Sequence, residues 1–518
     1  MIMEKMKKII HLAGIILLLL PACTEKDIEV TPTTEIADAY YLQPANVSTI
    51  LATTYNFLWV RTGPWGNSHR AWGNFPSDDA YTGGSDDGDQ QTYQDADKYQ
   101  VTPLDPAANL TTQWRTNFQG IYACNLLIDN VPATLDQNLM AIAEAKFLKA
   151  FYYFELARMF GGLPILTKTV APTEIIPRAT YEETLEYIAQ LLREAIATKR
   201  LDGVTPALFQ RTSPSGPDNG KVTLAAAQAL LGKVYLYQKK YSESIDILLK
   251  VDQNPNYALE TNYADIFNAT NKFGKESIFE VSYAKPNGTD GRAMGNGELQ
   301  LFGPRPATLS QFDADLLAGW GFDQPTQSLV DAYKSQNDYV RLNKTVISSD
   351  SLQKIYTAYS GDATPIVWQN SKDGYWDGKH LPRNSNRGAA WGNDYTNTII
   401  LRLADVYLML AEAYNRTGND AKAQEYLNRV RARVGLPPVT ASGDALYEAI
   451  KLERRLELAL EGERYFDLLR WGDAEKYLGP LGWTDGTPGK KTNGWFPIPQ
   501  SEINRTDGPN RLVQNPGY

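Results

Sequence analysis

Across 518 residues, 51 lysines and arginines stand against 60 aspartates and glutamates, a formal net charge of −9. An acidic chain with scattered basic residues is poorly suited to the phosphate backbone of nucleic acid or to an anionic bilayer surface. Two cysteines exclude a disulfide framework, and three histidines leave little room for imidazole chemistry.

The chain opens with Lys5, Lys7 and Lys8, continues through an apolar run from Ile9 to Leu20, and reaches Leu20-Pro21-Ala22-Cys23. A basic start, an apolar core and small residues make an export signal, and the run is too short to span a bilayer core of about 30 Å. A cysteine directly after the small residue, with leucine three positions before it, is the pattern of bacterial lipoprotein processing. Residues 1–22 are therefore expected to be removed and Cys23 to be acylated. The removed segment carries +2, which leaves −11 on the mature chain. Each buried CH₂ contributes ~0.8 kcal/mol and one acyl chain alone holds only marginally, so the anchor needs at least two. Residues 23–40, polar and interrupted by Pro32, read as the lipidated cysteine and a flexible tether. A single body is expected over 41–518, where no further run is long enough to cross a membrane. Cys124, inside the apolar stretch Ile121 to Ile128, reads as a small buried residue.

From about 61 to 105 the sequence is rich in Gly, Asp and aromatic residues, with Trp65 and Trp72 in a stretch of no helical period. Asp86, Asp87 and Asp89 imitate part of a calcium loop but lack the rest of the pattern, and a solvated acidic turn fits better. Helical periodicity then becomes strong. Ala141–Phe160 carries a stripe of Phe147, Phe151 and Phe154, and Gly161-Gly162 and Pro164 stop it. Tyr181–Ala197 reads as a delayed return. Thr223 can cap a helix running through Tyr235, which breaks at Lys239-Lys240 and returns over Ser242–Val251. The stretch 252–397 is mixed, with a strand-like run at Ser277–Tyr283 and loops around Trp320, Trp368, Trp376 and Trp391. A last clear hairpin runs from about Ile400 to Arg416, turns at Gly418-Asn419 and returns through Ala421 to Arg433, and Asp444–Tyr477 could supply a fourth.

Leu231-Gly232-x-x-Tyr235 and Leu410-Ala411-x-x-Tyr414 fit the first helix of a tetratricopeptide unit, and Ala423 and Leu427 fit the second. A small residue lets paired helices approach, and the tyrosine fills the groove to the next pair. Such units cannot bury their faces alone, so they stack. The expected fold is mostly α: about four helix pairs in a short, curved, right-handed stack, with a large loop-rich insertion containing short strands. The scaffold falls at about 106–251 and 398–478, and variable loops at about 61–105 and 252–397.

Catalytic motifs are missing. Gly83-Gly84-Ser85-Asp86-Asp87 lacks the second glycine of a nucleophile elbow, and there is no phosphate-binding lysine loop, HExxH or paired-cysteine metal site. His69 and His380 read as loop histidines. No cofactor or metal is expected. Trp59, Trp114 and Trp471 sit in helical patterns and read as core. Loop tryptophans beside Gly, Asn and Asp are different, because an indole face packs on the apolar C–H face of a sugar ring while amides and guanidiniums bond its hydroxyls. Each such contact adds ~0.5–1.5 kcal/mol beyond burial, and two or three give millimolar to micromolar binding, roughly 4 to 8 kcal/mol.

The second half of the chain resembles the RagB/SusD family in Leu401-Arg402-Leu403-Ala404-Asp405-Val406-Tyr407-Leu408, Ala411-Glu412-Ala413 and Leu427-Asn428-x-Val430-Arg431. The resemblance continues in Ile450-x-x-Glu453-Arg454-Arg455-x-Glu457-Leu458, Glu461-Gly462-x-Arg464, Asp467-Leu468-x-Arg470-Trp471-Gly472 and the closing Gln514-Asn515-Pro516-Gly517-Tyr518. Ala145-x-Phe147-Leu148-x-Ala150-Phe151-Tyr152-Tyr153 extends it toward the N-terminus. It implies a surface-facing outer-membrane lipoprotein with four tetratricopeptide-like helix pairs. Such a protein lids a SusC-like TonB-dependent transporter and hands it oligosaccharides, or in some members peptides. It also implies that Arg402, Glu453, Arg454 and Arg464 are folding residues in ion-pair networks. Ligand contacts would come from the variable loops. Trp320, directly before Gly321-Phe322-x-x-Pro325-Thr326, has the best position, and Trp65, Asn67, Trp72, Trp376 and Arg383 follow on composition. Peptide capture on the same scaffold is the first alternative and a surface hydrolase the second.

Overall fold

A computed structural model describes residues 43–60, 68–171, 174–213, 220–283, 295–387 and 394–518. The expected signal, tether and Cys23 lie outside these residues, as do Trp65, Asn67 and Trp391. The architecture is mostly helical. Helices α1 (Pro44–Val60), α2 (Asn109–Asn130), α3 (Asp136–Phe160) and α4 (Tyr181–Ala197) are followed by α5 (Leu224–Tyr237) and α6 (Tyr241–Asp252). After the insertion come α7 (Leu403–Arg416), α8 (Asp420–Arg433), α9 (Gly443–Glu457) and α10 (Arg464–Trp471). Successive helices from α1 to α9 pack on one another in order, and α6 continues onto α7, so the stack runs unbroken across the insertion.

Local chemistry sets these boundaries. Thr180 and Glu183 form a reciprocal capping box at the start of α4, and the Thr223 hydroxyl accepts from the Ala226 amide at the start of α5. Gly232 is required by close approach, because a Cβ there would come within 2.3 Å of Leu248 on α6. In the next pair the ring of Tyr414 stacks on Tyr426 at 5.8 Å. Phe147, Phe151 and Phe154 are buried as their stripe demands, and so is Cys124.

Three expectations need correction. Ile400 is in a strand: β-branched Ile399 and Ile400 belong to Thr398–Arg402, and α7 starts at Leu403. Asp444–Tyr477 is not one hairpin, since the chain turns after α9, forms the two-turn α10, and turns again at Gly472 before a short helix Ala474–Leu478. The stretch 61–105 holds two short helices, Ala71–Asn74 and Gln91–Asp97, both too brief to show a period.

Short antiparallel pairs stitch the insertion together and to the stack. β1 (Ala80–Gly83) pairs with β3 (Phe322–Pro325), β2 (Ser277–Val281) with β6 (Thr398–Arg402), and β4 (Val346–Ser348) with β5 (Tyr375–Asp377). Beneath them lies a buried ion-pair network. Arg402 bonds Glu461 at 2.7 Å and Glu276 at 3.0 Å and also meets Glu457. Arg341, from the insertion, bonds Glu453 at 2.7 Å and Glu457 at 2.9 Å. Arg454 joins Asp405 and Asp467, and Arg464 joins Asp78 at 2.7 Å. Breaking one such pair typically costs about 3–5 kcal/mol because it strands a buried charge. The motif residues are therefore structural, and they fix where the loops emerge.

Candidate functional site

The short helix Glu298–Phe302 ends at Gly303, and the segment after it is pinned to the loop that carries Trp320. The amides of Gly319, Trp320 and Gly321 donate to the carbonyls of Pro304, Gln300 and Gly303 at 2.7, 2.8 and 2.8 Å. On the other side Ala307 donates to Val367 at 2.8 Å and Gln369 to Arg305 at 3.0 Å. Leu317 donates to Pro382 and Asn384 to Asp315, which brings in the 382–387 segment. Between these strands of loop lies a cleft of about 460 Å³, lined among others by Trp320, Arg305, Gln311, Gln369, Asn384 and Arg387. Its size falls within the roughly 300–1,000 Å³ of small-ligand sites.

The polar groups are pre-positioned. Arg305 Nε donates to Gln369 Oε1 at 2.6 Å, its Nη1 donates to the Trp320 carbonyl at 3.1 Å, and Asp89 stands 3.5 Å away. The Arg305 side chain as a whole is 27% exposed. Trp320 is half-buried, packed against the main core while lining the cleft. An apolar ring face beside guanidinium and amide groups can hold a polyhydroxylated ring by stacking and hydrogen bonding together.

Of the residues expected from sequence, Trp320 lines this cleft. Arg383 stands at its rim, 38% exposed and 3.7 Å from Asp315, next to the lining residue Asn384. Trp65 and Asn67 lie outside the described residues. Two expectations are corrected by burial. Trp72 is 0% exposed and meets Tyr93 and Phe496 edge-on at 5.2 and 4.9 Å, so its face is not available to a ligand. Trp376 is also 0% exposed; its Nε1 donates to Ser349 Oγ at 3.0 Å and its ring supports Trp368 from below. Arg305, Gln369 and Arg387 were missed, because they are single polar residues spread over about eighty positions with no motif to join them. Only the cluster Arg383-Asn384-x-x-Arg387 offered a local signal.

Both histidines sit on loop segments as expected, but their side chains are paired there and not free. His380 Nδ1 meets Asp377 Oδ2 at 2.6 Å and its Nε2 meets Arg70, while Arg70 and His69 both approach Glu298 at 3.7 Å. Burial lowers the His380 pKa and Arg70 lowers it further, against the opposing pull of Asp377. This largely buried cluster joins the 68–70 segment to the insertion. In the acidic turn, Asp86 accepts from the Gly88 amide, Asp87 pairs with Lys372 and Asp89 accepts from the Ser85 amide. Each carboxylate already has its own donor. Among the described residues no group of His, Cys, Asp and Glu is arranged to hold a metal, and no helix is long and apolar enough to cross a membrane. A further cavity of about 630 Å³ lies along α1, beside Leu51 and Met140, with Gln137, Glu144 and Lys221 also on its wall.

Residues 275–518 match the family described as the SusD family, and residues 29–236 match one described as starch-binding, associating with the outer membrane. A laminarin binding SusD-like protein superposes with a TM-score of 0.77 at 31% identity, over 92% of this chain and 100% of that one. Surface glycan-binding protein A from Bacteroides thetaiotaomicron, in complex with laminarihexaose, shares the fold: TM-score 0.76, 24% identity, coverage of 92% and 99%. A SusD-like protein of Formosa agariphila is 27% identical over 485 residues, 88% of this chain and 90% of the other.

Proposed function

We propose, because this chain belongs to the SusD family, that it captures glycan chains at the outer-membrane surface and acts as a binding protein without catalysis of its own. In this reading it is a lipoprotein held by Cys23, and it delivers oligosaccharides to a SusC-like TonB-dependent transporter. The observation that carries the reading is the Trp320 cleft: one aromatic face flanked by Arg305, Gln369, Asn384 and Arg387, on the loops and not on the packed stack. The group is suited to binding, since donors and an apolar face converge there while no His, Cys, Asp or Glu lines it among the described residues to activate a nucleophile or hold a metal. The starch-binding family description and the laminarin-binding relative support a glycan as the ligand.

Affinity electrophoresis of the mature protein against a glycan panel, with laminarin first, tests this. Retardation by at least one glycan, without release of reducing ends, is the expected result. A folded protein that ignores every glycan and binds peptides would move it to the peptide-capturing reading, and released sugar ends would make it a hydrolase.

A further inference from the structure

A second, larger groove of about 1350 Å³ opens beside the Trp320 cleft. Its walls come from the stretch 77–103, from residues 326–328 and 372–373, and from 476–488 with the C-terminal Tyr518. The volume exceeds the roughly 300–1,000 Å³ that encloses one small molecule and suits an extended chain. Tyr81, on β1, and Tyr477 line it with half-buried rings, among Lys98, Gln100, Asp373 and Thr484. The Arg464 guanidinium, 4.8 Å from the ring of Tyr477, holds that ring in place.

Two segments serve both openings. The turn 85–89 sets Asp87 on the groove wall, 2.9 Å from Lys372, and Asp89 beside Arg305 in the cleft. The segment 369–373 carries Gln369 in the cleft at one end and Lys372 and Asp373 in the groove at the other, at most about 14 Å apart along the chain. This divider is fixed: Asn370 Nδ2 donates to the Gly83 carbonyl at 3.2 Å, and the Lys372 amide donates to Gln324 Oε1 at 3.0 Å.

We propose that the tyrosine-lined groove is an additional saccharide subsite, so that a glycan long enough to cross the 369–373 divider engages the groove and the Trp320 cleft together. The proposal rests on the reading of the Trp320 cleft as a glycan site. A second contact made by the same bound chain is effectively intramolecular, and affinity then rises with chain length without any change in the first contact. A protein partner fits less well, since the centres of protein–protein interfaces are depleted of Asp and Lys, which this groove presents throughout.

The test is calorimetric titration of the mature protein with a trimer, an octamer and the full polymer of the glycan retained in the panel, laminarin first. Longer chains should bind several-fold more tightly than the trimer. Tyr81→Ala should remove at least about five-fold from polymer affinity and leave trimer affinity unchanged. Thr484→Trp, which fills the groove from an exposed position without disturbing the core, should do the same. Equal affinities for trimer and polymer, or polymer affinity unmoved by both variants, overturn the proposal while leaving the Trp320 cleft intact. Unmoved glycan affinity with lost growth on that glycan overturns it in favour of a protein partner, and a protein that binds no glycan overturns both readings.

Discussion

Trp320, Trp72 and Trp376 have similar neighbours in sequence: Gly319 and Gly321, Gly73 and Asn74, Asp377 and Gly378. Their environments differ because of long-range packing that composition does not carry. Trp72 lies on a one-turn helix pressed between Tyr93 and Phe496, and Trp376 on a three-residue strand under Trp368. Neither element is long enough to display a burial period, so composition alone ranked these rings beside Trp320. Trp320 was placed through the resemblance in its following residues. The different roles give different outcomes on truncation. Trp72→Ala should lose about 3–5 kcal/mol of stability in denaturant titration, while the folded fraction keeps its glycan affinity; a weakened affinity with unchanged stability would return Trp72 to the binding surface.

At the scale of elements, the helical hairpins were legible because they carry their own punctuation: Thr223 as a cap, Gly161 and Gly418 at turns, Gly232 at the close crossing. The fourth unit was not, because α9 and α10 part at a turn through the positive-φ residues Leu460 and Gly462 that no cap residue marks, while Arg454 of the ion-pair network ties α9 to Asp467 on α10. That network also sets the response to acid. Burial alone would raise its carboxyls, but Arg433, Arg402 and Arg341 hold Glu457 well below the usual range, and Arg402 and Lys379 bring Glu461 down to about 2. Groups with depressed folded values contribute stability that is present above their unfolded pKa of about 4.3 and is lost as pH falls toward the folded value. Burial acts the other way on Asp97 and Asp394, pushed up to about 6. Their contribution is full below the unfolded pKa of about 3.9 and is lost as pH rises through 6. Thermal unfolding followed across pH should therefore show a maximum Tm near roughly pH 4, with a fall below it as the depressed carboxylates protonate and a fall between about pH 4 and 6 as Asp97 and Asp394 ionise. A Tm that rises between about pH 4 and 6 would contradict the assignment for Asp97 and Asp394.

For the whole molecule, the family motifs are the most legible part, since they are local in sequence. The cleft is the least legible, being assembled from the loops at 303–311, 317–321, 369 and 384–387, which only the folded chain brings together. On the proposed function, a lipid tether would keep a captured glycan near the transporter instead of letting it diffuse away. Cys23→Ser should release the protein from the membrane fraction and impair uptake, with glycan affinity of the purified protein unchanged. Persistent membrane association of that variant would contradict the lipid anchor.

The central claim is that the Trp320 cleft binds glycan, and calorimetric titration of the wild type and of Trp320→Ala with the retained glycan tests it most directly. Loss of the stacking face, worth ~0.5–1.5 kcal/mol beyond burial, should weaken binding by at least about two- to twelve-fold in protein that remains folded at the assay temperature. An affinity unchanged by Trp320→Ala in a fully folded protein would contradict the account and place the glycan elsewhere.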